Sequence, residues 1–176
     1  MNKLFPSNIT TERLLMRPPV TADAEEVFAS YTQDLDVARY MVWMPHPSVE
    51  AMRLFINSCV AAWHDTDRQP YVIADRSSGQ LLGMLEARTS EHGVNIGYVL
   101  AKPHWGQGLM PEAVSGLVHV ALHELGFFRV EASCDVENHA SARVLEKCGF
   151  IKEGVWPALL FIPIFPPSRE IAGCMQ

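Results

Sequence analysis

The sequence predicts an α/β (α+β) fold, a mixed, mostly antiparallel central sheet of roughly six to seven strands flanked by about four helices. Three observations predict it. Residues 71–100 fall into short strand-like runs joined by tight turns, the pattern of an antiparallel meander. The segments before that stretch carry apolar residues at helical spacing. After it the period switches repeatedly, giving strand, helix, strand, helix, strand. With 176 residues, 48% of them hydrophobic, the chain can bury one substantial core and is short for two. A single domain over residues 1–176 is expected, with 155–176 as an atypical tail.

The elements follow in order. Glu12 to Arg17 (ERLLMR) reads as a strand stopped by Pro18-Pro19, which cannot donate to a ladder. Thr21 is the expected N-cap of a helix whose first turns hold Asp23, Glu25 and Glu26 at the positive end of the dipole. Val27, Phe28 and Tyr31 continue it. After an irregular segment around Pro45 and Pro47, Ser48 and Glu50 open a second helix. Its apolar stripe is Met52, Phe55, Ile56, Cys59, Val60 and Trp63. Tyr71–Asp75, Leu81–Arg88 and Val94–Leu100 are the meander strands, separated by RSSG and by a turn around Glu91 to Gly93. Pro111 to Leu125 is helical, Arg129 to Asp135 strand, Ala140 to Cys148 helix, and Phe150 onward strand.

Charge and composition narrow the function. A net charge of −6 opposes a sequence-independent grip on nucleic acid, which needs a basic surface, and suits a cationic partner such as an amine. Cys59, Cys134, Cys148 and Cys174 show no metal-cage spacing and read as reduced, mostly buried thiols. His119 and His123 share a helix face without a third ligand, so no metal is expected. His139 is left unassigned. The N-terminus has no continuous apolar stretch of signal-peptide length and no later run approaches a membrane span, and a soluble cytoplasmic protein is expected, with no membrane partner.

The most informative stretch is Pro103 to Ala113 (PHWGQGLMPEA), between a strand and a helix. Gly106 and Gly108 let the backbone turn tightly against a ligand, and Pro111 suits a first helical turn. Amides at a helix start, aimed by glycines, make a diphosphate site. Neither the GxGxxG spacing of dinucleotide folds nor the Gly-Lys-Ser/Thr of a Walker A loop is present. The spacing alone also fits an ordinary strand-to-helix turn.

A second stretch, Asn138 to Phe150 (NHASARVLEKCGF), together with WGQGLMPEA, TERLLMRP and IGYVL, resembles the GCN5-related N-acetyltransferases (GNAT). Within them it resembles the ribosomal-protein N-terminal acetyltransferase (RimJ/RimL-type) branch. The likeness runs from about Thr11 to Gly154. It implies the GNAT fold, acetyl-CoA as co-substrate without a metal, and direct attack by an amine in a ternary complex. The family's loop positions fall on Trp105, Gly108 and Met110, two of which depart from the general pattern and match this branch. The resemblance implies that Trp105, Gly106, Gln107, Gly108, Leu109 and Met110 wrap the pyrophosphate. The strand from Gly97 through Tyr98, Val99 and Leu100 is to lie along the pantetheine arm, with Asn138 near the thioester.

For catalysis, Ser141 is the expected proton donor to the departing thiolate, against a purely structural role at its helix start. Glu86 is the candidate base, acting directly or through water, against a solvated strand carboxylate. Glu112, a rival, is assigned to stabilising the helix start, and Tyr98 to packing. A protein N-terminal amine is the leading acceptor, because deprotonating an α-amine at pH 7 costs about 1.4 kcal/mol against about 4.6 for lysine. A small-molecule amine and a non-catalytic acyl-CoA binding module are the alternatives. A homodimer is consistent with the family. Beyond Gly154 the likeness stops. Four prolines and poor alternation stand where a last strand belongs, and a one-base frameshift in the gene would account for that.

Overall fold

The computed structural model describes residues 5–63, 67–91, 93–157 and 170–175. Eight strands form one sheet in the order β1-β2-β3-β4-β5-β6-β8-β7. They are β1 (Ile9–Thr10), β2 (Leu14–Arg17), β3 (Arg68–Asp75), β4 (Leu81–Thr89), β5 (Val94–Leu100), β6 (Val130–Asp135), β7 (Ile151–Pro157) and β8 (Glu170–Met175). Five helices accompany them: α1 (Asp23–Ser30), α2 (Leu35–Ala38), α3 (Val49–Ala62), α4 (Leu109–His119) and α5 (His139–Lys147). All strand pairs are antiparallel except β5 with β6. The mixed, mostly antiparallel sheet expected from the sequence is therefore present.

Alternation along the strands divides the core between the two faces. On one face Tyr71, Ile73, Leu82, Leu85, Val94 and Ile96 pack with Ala113, Val114 and Leu117 of α4 and with Leu145 of α5. On the other, Val72, Ala74, Leu81 and Met84 meet Ala24 and Val27 of α1 and Met52, Ile56 and Cys59 of α3. The apolar stripe read from Met52 to Val60 is thus the face of α3 turned to this core, while Trp63 packs on Tyr71 of the other cluster.

Several boundaries moved for identifiable reasons. Ser48 caps α3 as expected, accepting the Ala51 amide at 3.2 Å. Thr21 does not cap α1. The N-cap is Ala22, without a side-chain bond, and the Thr21 hydroxyl bonds Asn57 Oδ1. Asp23 takes the local role instead, accepting the Val20 amide while paired with Arg17. Strand β3 begins at Arg68 and includes Pro70. It pairs with β2 only from Val72 onward, so Pro70 lies on an edge stretch that needs no donor on that side. Helix α2 has no counterpart among the elements read from the sequence, since four residues are too few for a periodic signal. Its Asp34 cap accepts the Asp36 amide. The helix expected to reach Leu125 stays α-helical to His119 and finishes as a π-helical turn over Val120–Glu124.

The tail returns to the sheet. Strand β8 enters between β6 and β7 and pairs with both, with a register irregularity in β7 between Lys152 and Gly154. Of the proline-rich segment, residues 158–169 lie outside the described residues, as do His64 and His92. Among the described residues no helix is long and apolar enough to cross a membrane, and no cluster of three His, Cys, Asp or Glu side chains could hold a metal. Cys59, Cys134 and Cys148 are free thiols, the first two buried.

Two contacts fix α4 and β5. Glu112 receives hydrogen bonds from the Thr11 hydroxyl (2.5 Å), the Arg13 amide (2.8 Å) and Arg13 Nε (2.6 Å), binding the start of α4 to the β1–β2 turn. Burial pushes its carboxyl up, but these donors outweigh burial and hold it below the usual range. A carboxyl depressed in the folded state stabilises above its unfolded pKa and loses that contribution as pH falls through the folded value. Glu112→Gln should therefore lower the melting temperature near neutrality and make the loss on acidification below about pH 4.5 shallower, as melting curves across pH 3–7 will register. At Gly83, opposite Leu100, an added Cβ would stand 2.2 Å from the Val99 carbonyl oxygen, which is backbone and cannot swing away. Gly83→Ala should cost about 1–3 kcal/mol by forcing β4 and β5 apart, with a matching loss in denaturant midpoint.

Candidate active site

The site originates in a parallel pair that ends early. Strands β5 and β6 share only three rungs, Val94↔Val130, Asn95↔Glu131 and Ile96↔Ala132. Beyond them β5 stays paired with β4 as far as Gly83↔Leu100, while β6 follows β8 as far as Asp135↔Ile171. The sheet opens into a wedge along Gly97–Leu100. A cavity of about 570 Å³ occupies it, lined by Tyr98, Val99 and Leu100 on one side and by Asn138, Ser141 and Val144 of the α5 region on the other.

At the wide end lies the glycine loop. Gly106 and Gly108 have φ of +74°, in the left-handed region that favours glycine, and a Cβ at Gly106 would meet nothing within 4 Å. Gly108 is the N-cap of α4 and has no side chain with which to cap it. The amides of residues 106–110 consequently have no acceptor among the described residues. Three bonds hold the loop's shape. The Trp105 indole donates to the Leu100 carbonyl at 2.7 Å, Arg13 Nη1 donates to the Gln107 carbonyl at 3.0 Å, and Gln107 Nε2 donates to the Pro103 carbonyl at 2.9 Å. Outward-facing amides at a helix start form an anion cradle. Arg39, Arg143 and Lys147 line the same cavity and add positive charge suited to the phosphates of a coenzyme. A mostly apolar slot ending in such a cradle fits coenzyme A.

At the narrow end Tyr98 and Ser141 meet. Their hydroxyls are 2.8 Å apart, and the Tyr98 hydroxyl also lies 3.2 Å from the Ser141 carbonyl oxygen. This contact joins β5 to α5 across the wedge. Asn138 caps α5 through Oδ1, which accepts the Ser141 amide at 3.1 Å. The capping role considered for Ser141 thus belongs to Asn138, and the serine hydroxyl faces Tyr98. Tyr98, assigned to packing, is one half of this hydroxyl pair. Glu112 is committed to Thr11 and Arg13 as well as sitting in the first turn of α4.

Glu86 is placed differently from the other expected residues. It lies on β4 opposite Gly97, outside the cavity lining, with Arg68 Nη2 at 2.7 Å from Oε2 and Arg88 Nε at 2.5 Å from Oε1. His119 and His123 are tilted against each other with ring centroids 5.0 Å apart, and neither lines the cavity. Arg39, Tyr40, Arg143 and Lys147 were not singled out from the sequence. The spacing of Arg143 and Lys147 on α5, one turn apart, was the available signal. Arg39 and Tyr40 come from the segment after α2, and no local pattern marks them. The Tyr40 hydroxyl donates to the Glu137 carbonyl at 3.3 Å, and Lys102 pairs with Asp36, so this segment is tied to both sides of the wedge.

Comparison with known proteins agrees with this geometry. The acetyltransferase (GNAT) domain family matches residues 13–151. The uncharacterized N-acetyltransferase YoaA of Bacillus subtilis is 32% identical over 155 residues, covering 86% of each chain. Among solved structures, the ribosomal-protein-S5-alanine acetyltransferase of Vibrio fischeri superposes with a TM-score of 0.82 at 20% identity, over 97% of this chain and 96% of that one. The microcin C7 self-immunity acetyltransferase MccE, solved in complex with acetyl-CoA and AMP, gives a TM-score of 0.82 at 21% identity, with 97% of each chain covered. These two likenesses establish the fold, and the family match establishes the chemistry: the chain belongs to the GNAT acetyltransferases, acetyl-CoA-dependent enzymes that acetylate amines.

Proposed function

We propose that the acceptor is the N-terminal α-amine of a protein or peptide, and that Ser141 with Tyr98 serves the departing sulfur. The observation that carries this reading is the hydroxyl pair at the narrow end of the wedge. Acetyl-CoA supplies the thioester: the amine nitrogen bonds the acetyl carbon, the C–S bond breaks, one amine proton is lost and one proton goes to the thiolate. The amides of residues 106–110 hold the diphosphate, and Gly97–Leu100 with Asn138 position the arm, so the two reactants meet at fixed distance. The Ser141 hydroxyl donates to the sulfur as charge builds there, and Tyr98 donates in turn to the Ser141 oxygen, stabilising the proton's departure. Each hydroxyl has one proton and two lone pairs, so Ser141 can give a proton to the thiolate while accepting from Tyr98, and solvent, which takes up the amine's proton, returns one to the pair.

The cavity's own residues favour an amine that is easily deprotonated. Asp36 is the one carboxylate among its described lining residues, and it is paired with Lys102. With no free carboxylate at hand, an α-amine, about 3 kcal/mol easier to deprotonate than lysine at pH 7, suits the site better. The likeness of its motifs to the RimJ/RimL-type branch supports the same acceptor. The base role proposed for Glu86 would run through water, since both its oxygens hold guanidiniums.

In a thiol-release assay Ser141→Ala should lower kcat about 100-fold while the calorimetric Kd for acetyl-CoA stays within about threefold. Tyr98→Phe should lose about tenfold or more in kcat. An unchanged kcat in Ser141→Ala would remove the relay, and binding without release on any amine would favour a non-catalytic acyl-CoA module. Faster release with small amines than with peptides would make the acceptor a small molecule.

A further inference from the structure

We infer that Arg68 and Arg88, aligned by Glu86, form a seat for an anionic group carried by the acceptor close to its amine. This rests on the transferase reading above and names the acceptor's chemistry more closely.

The register of three strands builds the seat. Arg68↔Arg88↔Asn95 form one cross-strand row and Pro70↔Glu86↔Gly97 the next, all on one face of the sheet. The following row on that face is Val72↔Met84↔Val99, and Val99 lines the cavity. Two residues of strand, about 7 Å, separate Gly97 from Val99. Tyr98, between them, points to the opposite face, where it meets Ser141. Sulfur chemistry and the arginine pair therefore flank the wedge from opposite faces. An acceptor arriving from the side not taken by the coenzyme arm meets the arginines.

The charges there do not balance. Arg68 and Arg88 stand directly opposite each other, an arrangement that destabilises a sheet unless an anion lies between them. Glu86 supplies one carboxylate for two guanidiniums. Asp67 acts on Arg68 only from further away, and burial pushes the nearby Cys59 thiol up to about 11, so it is neutral. Among the hydrogen-bonded groups one positive charge is left over. Arg88 spends Nε on Glu86 and Nη1 on Asn95 Oδ1, and Arg68 spends Nε and Nη2 on Glu86. Arg88 Nη2 and Arg68 Nη1 have no acceptor among the described residues. Both arginine side chains are nearly half exposed, at 42% and 49%, whereas Glu86 beneath them is at 15%.

Gly97 leaves the approach open. It is the first β5 residue past the last β5–β6 rung, and a Cβ there would stand 3.4 Å from Arg88 Nη2. The guanidinium thus lies over bare backbone where the wedge begins. A planar donor fork held by a half-buried carboxylate is preorganised for a carboxylate or phosphate. In this arrangement Glu86 is a positioning residue for the two arginines.

The test is thiol release from acetyl-CoA with matched acceptors. Peptide amides beginning with Glu or Gln probe a side-chain anion, a free amino acid against its amide probes an α-carboxylate, and an aminoalkyl phosphate against the amino alcohol probes a phosphate. At least one anionic member should be preferred about tenfold or more in kcat/KM, chiefly through KM. That ratio should collapse in Arg88→Gln and in Arg68→Gln, with acetyl-CoA binding by calorimetry reporting that each variant is folded. Glu86→Gln should raise KM for the anionic acceptor without moving the acid limb of the kcat–pH profile. Turnover with no anionic preference, or a preference that survives both arginine variants, overturns this inference and leaves the transferase intact. Loss of the acid limb in Glu86→Gln overturns its positioning role and makes it the base. Absence of release from every acceptor overturns the transferase reading and this inference together.

Discussion

Strands β5 and β6 run parallel for three rungs and then part, because each is bound along its far side to a different neighbour. Strand β5 follows β4 over its whole length, and β6 follows β8. Twist between adjacent strands turns that divided allegiance into a widening gap. A gap in a sheet leaves backbone edges and a slot with apolar walls, and a thin, partly apolar arm with polar amide groups fits both. The GNAT site is thus a property of strand pairing before it is a property of any catalytic side chain.

The gap is useful only if its ends are fixed. At the wide end the loop of residues 103–108 is held from three directions: by Trp105 on the Leu100 carbonyl, by Arg13 on the Gln107 carbonyl, and by the start of α4. Arg13 and Glu112, 99 residues apart in the chain, form one hydrogen-bonded unit joining β2 to α4 behind this loop. Preorganised amides gain their strength from such rigidity, since no reorientation is needed when an anion arrives. At the narrow end the Tyr98–Ser141 contact spans the gap, and Asn138 holds the first turn of α5 that presents the serine.

The distribution of charge follows the same division. The chain is acidic as a whole, at −6, yet the residues at the wedge include Arg39, Arg143 and Lys147 on the coenzyme side and the Arg68–Glu86–Arg88 group on the α3 face. A negative average with local positive ground attracts a cationic amine at long range and receives phosphates and other anions at short range. Glu86 shows how position changes meaning. A lone strand carboxylate reads as a base, whereas here both carboxylate oxygens hold guanidiniums.

Much of this was legible in the chain itself, for definite reasons. Short strand runs joined by tight turns in 71–100, the apolar stripe around Met52–Trp63 and the helical pattern from Pro111 to Leu125 mark the elements, and burial is what the sheet and helices were built to satisfy. The left-handed glycines of the 103–113 loop and the Ser48 cap act within a few residues, so sequence exposes them. The Asn138 and Ser141 motif was likewise found, though the division of labour between cap and hydroxyl needed coordinates. The cross-chain meetings were not legible: Tyr98 with Ser141, Arg13 with Glu112, Arg68 with Arg88, and Tyr40 with Glu137. Each depends on strand register or on a helix laid across the sheet, which no local pattern encodes. The sequence by itself determined most of the elements, the family and the position of the glycine loop, because those rest on local periodicity and backbone chemistry. Only the tertiary structure decided where the sheet opens and which side chains face one another across it, because that is set by which neighbour each strand hydrogen-bonds.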